Sequence, residues 1–252
     1  MSIINHITFI FKGGRIERIP DIKKGKAPED FFYGSYNLKI KGYLIDFIST
    51  NKVKVNKIIK LFEYIKSNIN NLGITNSLFK NLNKEMKRSK LVISFTDGLS
   101  LSLGNLRYKE TKTLGCFHCL SDLENKSKKI FKFWSKKLIK NSLDGLDHIT
   151  FFGPEDREYA IKKYKIKRKK TSIILFGVDT NFWTPGRGLY HDYFFSIGQD
   201  PSRDFDTLLK TKINYKIKIH TDLNLKSQNE KIKITKGNFY KNGLTDLELR
   251  SL

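Results

Sequence analysis

Cysteine is scarce in this sequence: its 252 residues contain two, Cys116 and Cys119, bracketing Phe117 and His118. Two thiols make no disulfide framework, and a reducing compartment is the natural setting. The C-x-x-C spacing lacks the second Cys/His pair that a zinc site needs, so no metal is expected. Nothing around it supports a thioredoxin-like redox site, and the pair reads as incidental. Long apolar runs are missing too. No stretch approaches the roughly 20 residues of a membrane span, and Met1–Phe11 has neither a basic start nor a small-residue cleavage site. The chain therefore reads as soluble and cytoplasmic. Acidic residues are the third shortage, 25 against 48 Lys and Arg, for a net charge of +23 and a pI near 9.8. Such an excess raises nucleic acid or an anionic membrane as partners. Lys, Ile and Asn crowd the whole chain, however, and share A/T-rich codons. Biased base composition can supply much of the charge, which by itself assigns no partner. With 39% hydrophobic residues, the chain is expected to fold.

Short apolar runs alternate with longer helix-like stretches, the pattern of a parallel α/β architecture. Strands are expected at Ile7–Phe11, Tyr43–Ile48, Leu91–Phe95, Lys112–Phe117, His148–Phe152 and Ser172–Leu175, each a continuous run as in strands buried on both faces. Helices are expected over Phe31–Lys41, Val55–Ile69, Lys126–Ser142 and Glu155–Lys165. In the second, Val55, Ile58, Ile59, Phe62, Ile65 and Ile69 make an amphipathic stripe. In the third, Ile130, Trp134 and Leu138 form the core-facing stripe. Pro and Gly cluster at Phe182–Gly188, a linker candidate. A second α/β unit then begins, with a strand at Tyr193–Ile197, a helix at Asp204–Thr211 and a strand at Tyr215–His220. The chain stops at Leu247–Leu252 in what reads as the middle of a helix, so truncation is expected. The domains expected are 1–187 and 188–252, the second too short for a complete doubly wound unit.

Two segments carry a resemblance. Phe176-Gly177-Val178-Asp179, followed by Phe182 and Pro185, resembles the stretch that closes the N-terminal domain in retaining glycosyltransferases of family 4, which have the GT-B fold. Tyr193–Gly198, followed by Arg203–Leu209, is similar to the first strand and helix of that family's C-terminal domain. Order and spacing agree, and the likeness is sharp from about Leu146 to Leu209. It implies a GT-B-like α/β fold, with a Rossmann-like N-terminal domain on the acceptor side and the beginning of a second, nucleotide-sugar-binding domain. The implied activity moves a sugar from a nucleotide-sugar donor to a glycan or lipid-linked acceptor, as in building cell-envelope polysaccharide. The donor is a substrate, and no cofactor is implied.

Site residues follow by position. Gly13 and Gly14 stand where the family has a glycine-rich loop after the first strand, close to the donor diphosphate. Glycine suits that place because backbone N–H groups can approach phosphate oxygens with no Cβ in the way. An ordinary strand-to-helix turn is the alternative. His118 ends a strand where similar enzymes carry a histidine facing the donor sugar, the catalytic candidate, against a merely structural histidine. Asp97 either binds acceptor hydroxyls or caps a helix over Gly98–Leu103. Arg203 falls near the family's basic residue that neutralises the leaving diphosphate, whose negative charge grows as the glycosidic bond breaks. The family's arginine directly after the strand glycine is here Gln199, leaving Arg203 as the main donor clamp. The family's E-x7-E type segment deep in the second domain has no counterpart, so this chain alone is expected to be a poor catalyst or none.

Two non-catalytic readings compete. The basic run Lys162–Lys170, with Tyr164 interleaved, could bind nucleic acid through phosphates, though no known module accompanies it and a solvated loop accounts for it. Lys126–Ser142, basic with Ile130, Phe131, Phe133 and Trp134, suits an anionic lipid surface. A helix packed on the sheet is its alternative.

Overall fold

A computed structural model describes residues 6–70, 72–126, 132–184, 191–201, 203–212, 214–237 and 244–251. The chain divides into two compact units, Met1–Pro20 with Glu29–Val178, and Asp21–Pro28 with Asp179–Leu252. The expected linker residues Pro185–Gly188 lie outside the described residues.

The first unit holds β1 (His6–Phe11), β2 (Leu44–Ser49), β3 (Leu91–Phe95), β4 (Lys112–Phe117), β5 (His148–Phe151) and β6 (Thr171–Ile173). They form one wholly parallel sheet in the order β2-β1-β3-β4-β5-β6. Between them run α1 (Ile19–Lys23), α2 (Ser35–Ile40), α3 (Lys57–Asn70), α4 (Asn76–Asn81), α5 (Asn83–Lys87), α6 (Asp97–Leu106), α7 (Leu120–Lys126), α8 (Lys132–Gly145) and α9 (Pro154–Tyr164). β1 and β3 are neighbours, yet the chain steps from β1 outward to β2 before returning. The strand order therefore reverses between β1 and β3. Right-handed crossovers put the β1–β2 connection on one face and the later helices on the other. This mixed α/β, Rossmann-like sheet is the architecture that the apolar runs imply.

Local chemistry explains several element boundaries. Pro154 opens α9, Glu155 and Asp156 fill its first turn, and Lys162 and Lys163 its last, all complementing the helix dipole. The helix expected from Phe31 instead begins at Ser35, because Tyr33 and Gly34 adopt left-handed backbone at φ 50° and 75°. The strand expected to reach Leu175 ends at Ile173, and Ile174, Leu175 and Phe176 are exposed. Helices α1, α4, α5 and α7 went unforeseen.

Two amphipathic readings need correction. On α3, Ile58, Ile59 and Phe62 lie largely exposed, so this part of its stripe meets no core; the side chains of Ile65 and Ile69 lie outside the described residues. On α8, Trp134 is 64% exposed, while Ser135, Ile139, Ser142 and Leu143 are buried. The cause is the contact with α6. A Cβ on Gly104 would lie 2.0 Å from the Ser142 carbonyl oxygen, and one on Gly145 would lie 1.9 Å from the Gly104 oxygen. Backbones this close admit only a small-residue face, which rolls the larger Trp134 outward. Ile130 and Phe131 lie outside the described residues.

The second unit pairs β7 (Tyr193–Ile197), β8 (Lys216–His220) and β9 (Ile232–Thr235), again all parallel and in that order. Helix α10 (Phe205–Lys210) joins β7 to β8, and α11 (Asp246–Ser251) follows β9. Asp204 caps α10, its carboxylate accepting from the Thr207 N–H at 3.0 Å. Phe205, Ile217, Ile219 and Ile232 form the buried core. Strand β9 was missed by the sequence reading, although Lys231-Ile-Lys-Ile-Thr235 alternates as a strand does.

Candidate functional site

In an open parallel sheet, ligands bind outside the carboxyl ends of the strands, where the strand order reverses. Here that place lies between the ends of β1 and β3. The segments arriving there are Lys12–Arg15 after β1, Thr96–Asp97 after β3, His118 after β4, Phe152 after β5 and Phe176 beyond β6.

Gly14 holds φ 94° with open space around its missing Cβ, so glycine is required there by conformation. Gly13 is tight for another reason: a Cβ would meet the Asn51 side chain at 3.1 Å. Asn51 in turn donates to Glu17 at 3.0 Å, which fixes the loop. The glycine pair thus leaves β1 in a conformation set by its neighbours, with its backbone accessible.

Asp97 is the first residue of α6, and Thr96 occupies the cap position without a side-chain capping bond. The reading of Asp97 as the cap is therefore replaced by a different structural task. Its Oδ1 accepts the backbone N–H of His118 at 2.8 Å and that of Cys119 at 3.5 Å, tying the end of β4 to the end of β3. Thr96 itself sits at φ 94°, an outlier for a β-branched residue. Strained backbone of this kind costs about 1–3 kcal/mol and concentrates at functional sites. Tyr33, at φ 50°, is the second such residue on this edge.

Tyr33 is the hub the sequence did not reveal. Its ring stacks on Phe95 at 4.2 Å and 3°, and the Arg15 guanidinium lies 5.0 Å from its centroid. Its hydroxyl stands 3.4 Å from His118 Nε2. Phe152 and Phe176 approach the same ring at 5.8 Å each, and Phe152 packs against His118 at 4.5 Å. Burial raises the Tyr33 pKa, opposed by Arg15, so the phenol stays protonated. Burial, with Arg15 adding, lowers that of His118, which favours the neutral imidazole. A neutral histidine can donate or accept, and it suits a sugar hydroxyl as well as a proton-transfer partner. Beneath them the buried Cys116 thiol is pushed up to about 12, far from a reactive thiolate, while Cys119 is exposed. Among the described residues no cluster of three or more His, Cys, Asp or Glu could hold a metal ion.

Of the residues singled out in the sequence, Gly13, Gly14, Asp97 and His118 thus meet on one edge of the first sheet. Arg203 belongs to the second unit. Its side chain lies against Gly198 at the end of β7, where a Cβ would meet its Nε at 2.3 Å. Gln199 donates to the Gly237 carbonyl at 3.3 Å. Arg15, Tyr33, Phe152 and Phe176 were missed. The only sequence signal was Arg15 directly following the glycine pair.

The basic run is mostly a solvated surface, with Lys162, Lys163, Lys165, Lys167 and Lys169 exposed. Tyr164 and Ile166 are buried in the core, Arg168 makes two 2.7 Å bonds to Glu158, and Lys170 donates to the Leu143 and Asp144 carbonyls at the end of α8. No described helix is long and apolar enough to cross a membrane.

The fold and its switch-point edge thus define a Rossmann-like α/β protein with a polar and aromatic site. No protein-family model matches the chain, and no curated protein matches it in sequence. Among solved structures, a glycosyltransferase from Rickettsia africae is similar at 14% identity and TM-score 0.46, over 93% of this chain and 68% of that one. The lipopolysaccharide outer core galactosyltransferase WaaB, in its apo form, follows at 13% and 0.45, over 86% of this chain. A third, the glycosyltransferase SnogD from Streptomyces nogalater, has 9% and 0.34, over 92% and 73% of the two chains. The chain spans 60% of the WaaB structure's length. At such identities the likeness is one of chain course, not of chemistry.

Proposed function

We propose that this chain carries the acceptor-side domain and the first part of the donor-side domain of a nucleotide-sugar-dependent glycosyltransferase of GT-B type, with family 4 and a retaining mechanism as its closest description. The observation behind this reading is the company kept at one sheet edge. A glycine pair, a neutral histidine and a strained, aspartate-tied loop meet at the strand-order reversal. A Gly-Val-Asp segment then leads into a second parallel unit. Gly13 and Gly14 offer backbone N–H groups to the donor phosphates, His118 faces the transferring sugar, and Asp97 holds the loop bearing His118 beside the acceptor. Arg203 neutralises the leaving diphosphate. The acceptor is a glycan or lipid-linked sugar of the cell envelope, the reaction is cytoplasmic, and no cofactor takes part. Residues 188–252 contain no E-x7-E segment, so this chain alone should turn over slowly or not at all.

The test is ligand-observed saturation-transfer NMR on the full 252-residue chain, using a panel of nucleotide-sugars and glycans. Saturated glycan ring protons that weaken in His118→Ala are expected. No saturation by any sugar, together with salt-sensitive RNA binding, would sink the reading in favour of a nucleic-acid protein. Measurable sugar transfer by this chain would overturn its inactivity alone.

A membrane-surface role is kept beside this one because of a specific observation. Phe133 and Trp134 project from α8 at 73% and 64% exposure, next to the exposed Lys136 and Lys137. That grouping suits an anionic leaflet, and a lipid-linked acceptor would bring the enzyme there.

A further inference from the structure

Arg15 is the unexplained charge of the switch-point edge. It forms no ion pair with any described residue. Its contacts are the Phe31 carbonyl, at a long 3.4 Å from Nη1, a side-chain hydrogen bond with the Tyr33 hydroxyl, and the rings of Tyr33 and Phe11 at 5.0 and 5.5 Å. Phe95 stacks on Tyr33 at 4.2 Å, and the guanidinium lies beside that ring. A guanidinium carries five N–H donors in a planar fork, so donors remain beyond its Phe31 and Tyr33 bonds to meet two oxygens side by side. Lysine could not do this. The neighbours of this cation are polar or aromatic and none is negative: a neutral histidine, a protonated phenol, the Phe11 ring and the Phe31 carbonyl. A half-buried charge with no partner of opposite sign is costly unless a ligand supplies one.

The rest of the edge describes what else that ligand carries. His118 and the Tyr33 hydroxyl, 3.4 Å apart, offer donors and an acceptor suited to a ring hydroxyl. Phe176, 57% exposed and packed on Phe152 at 5.4 Å, offers an apolar ring to the C–H face of a sugar. The geometry points to Arg15 as the anion-binding residue of this site, and to a ligand that is a hydroxylated ring bearing a phosphate or a carboxylate. Tyr33 is the positioning residue. Stacked on Phe95, bonded to Arg15 and fixed by its left-handed backbone, it aims the guanidinium. This inference rests on the glycosyltransferase reading and names the charge of what that site binds.

Isothermal titration of the full chain at physiological ionic strength provides the test, with glucose 6-phosphate, glucuronate, glucose, inorganic phosphate and UDP as probes. The two anionic sugars should bind roughly tenfold or more tightly than glucose. Arg15→Gln should erase that preference, and Arg15→Lys should restore only part, because an ammonium cannot make the paired bonds. Lys80→Gln, exposed on α4, should leave every affinity unchanged. Loss of UDP affinity alone in Arg15→Gln assigns the anion to the donor's phosphates, and loss of the hexose phosphate alone assigns it to the acceptor. Unchanged anion preference in Arg15→Gln overturns the inference, as does an equal loss in Lys80→Gln, which would mean diffuse surface charge. Sugars that still bind in that case leave the glycosyltransferase reading standing. Arg15-dependent binding of inorganic phosphate as tight as that of the sugar phosphates fails that reading instead and keeps the anion site.

Discussion

In the six-stranded sheet, helices α6 and α8 meet backbone to backbone and bury a core running from Ile10 to Ile166, whereas the three-stranded sheet rests on Phe205, Ile217, Ile219 and Ile232. Both are parallel, and both send their strand ends into glycine-bearing loops. Their glycines nevertheless do different jobs. Gly104 and Gly145 are needed because backbone lies opposite them; at Gly198 the nearest atoms are those of the flexible Arg203 side chain. The comparison teaches that a shared strand pattern says little about how tightly the layers on it are packed.

Substitution at these glycines should separate the two sheets most sharply. Gly104→Ala cannot be accommodated without moving α8, and urea denaturation should show a loss of more than about 3 kcal/mol. Gly198→Ala should cost about 0.5 kcal/mol or less, since Arg203 can swing aside. Equal losses would mean that the second sheet is as tightly constrained as the first.

Ile219→Ala empties a fully buried position in the small core and should cost about 3 kcal/mol. Hydrogen exchange should then quicken at β7–β9 while the amides of β3 and β4 keep their protection. Acceleration in both sheets alike would join them into one cooperative unit.

A smaller effect lies at the site edge of the first sheet. His118 has a folded pKa below its ordinary 6.5, so the unfolded chain binds the proton more readily. Its contribution to stability is therefore complete above that ordinary value and is lost as pH falls through and below it. Melting temperature should drop between pH 7.5 and 5.5, and His118→Gln should flatten part of that drop. An identical pH profile in the variant would place His118 in open solvent.

Trp134→Ala should change stability by less than about 0.5 kcal/mol, because the ring is mostly exposed. A loss of several kcal/mol would restore Trp134 to the core-facing stripe that its spacing suggests. If α8 does meet a membrane, the same variant should lower flotation with anionic liposomes.

Much of the fold was legible from local chemistry. Parallel strands covered on both faces read as unbroken apolar runs, so all six strands of the first sheet were visible. The site was legible only in outline. Gly14 shows itself because its conformation demands glycine, and His118 because it ends a strand. Asp97 sits where it was sought, but its bond to the His118 N–H joins residues on separate strands. Tyr33 gives no periodic or motif signal and Arg15 only its place after the glycine pair, since their roles depend on a ring and a cation meeting at the sheet edge.

What the sequence determined by itself is the succession of elements, because strand runs, the Pro154 start and the Asp204 cap act over a few neighbouring residues. The tertiary structure decided which side of α8 is buried and which residues converge at the strand ends. Those choices follow from how closely two backbones approach at Gly104 and Gly145, and from strand order in a sheet. Both are relations between distant segments, and no local pattern encodes them.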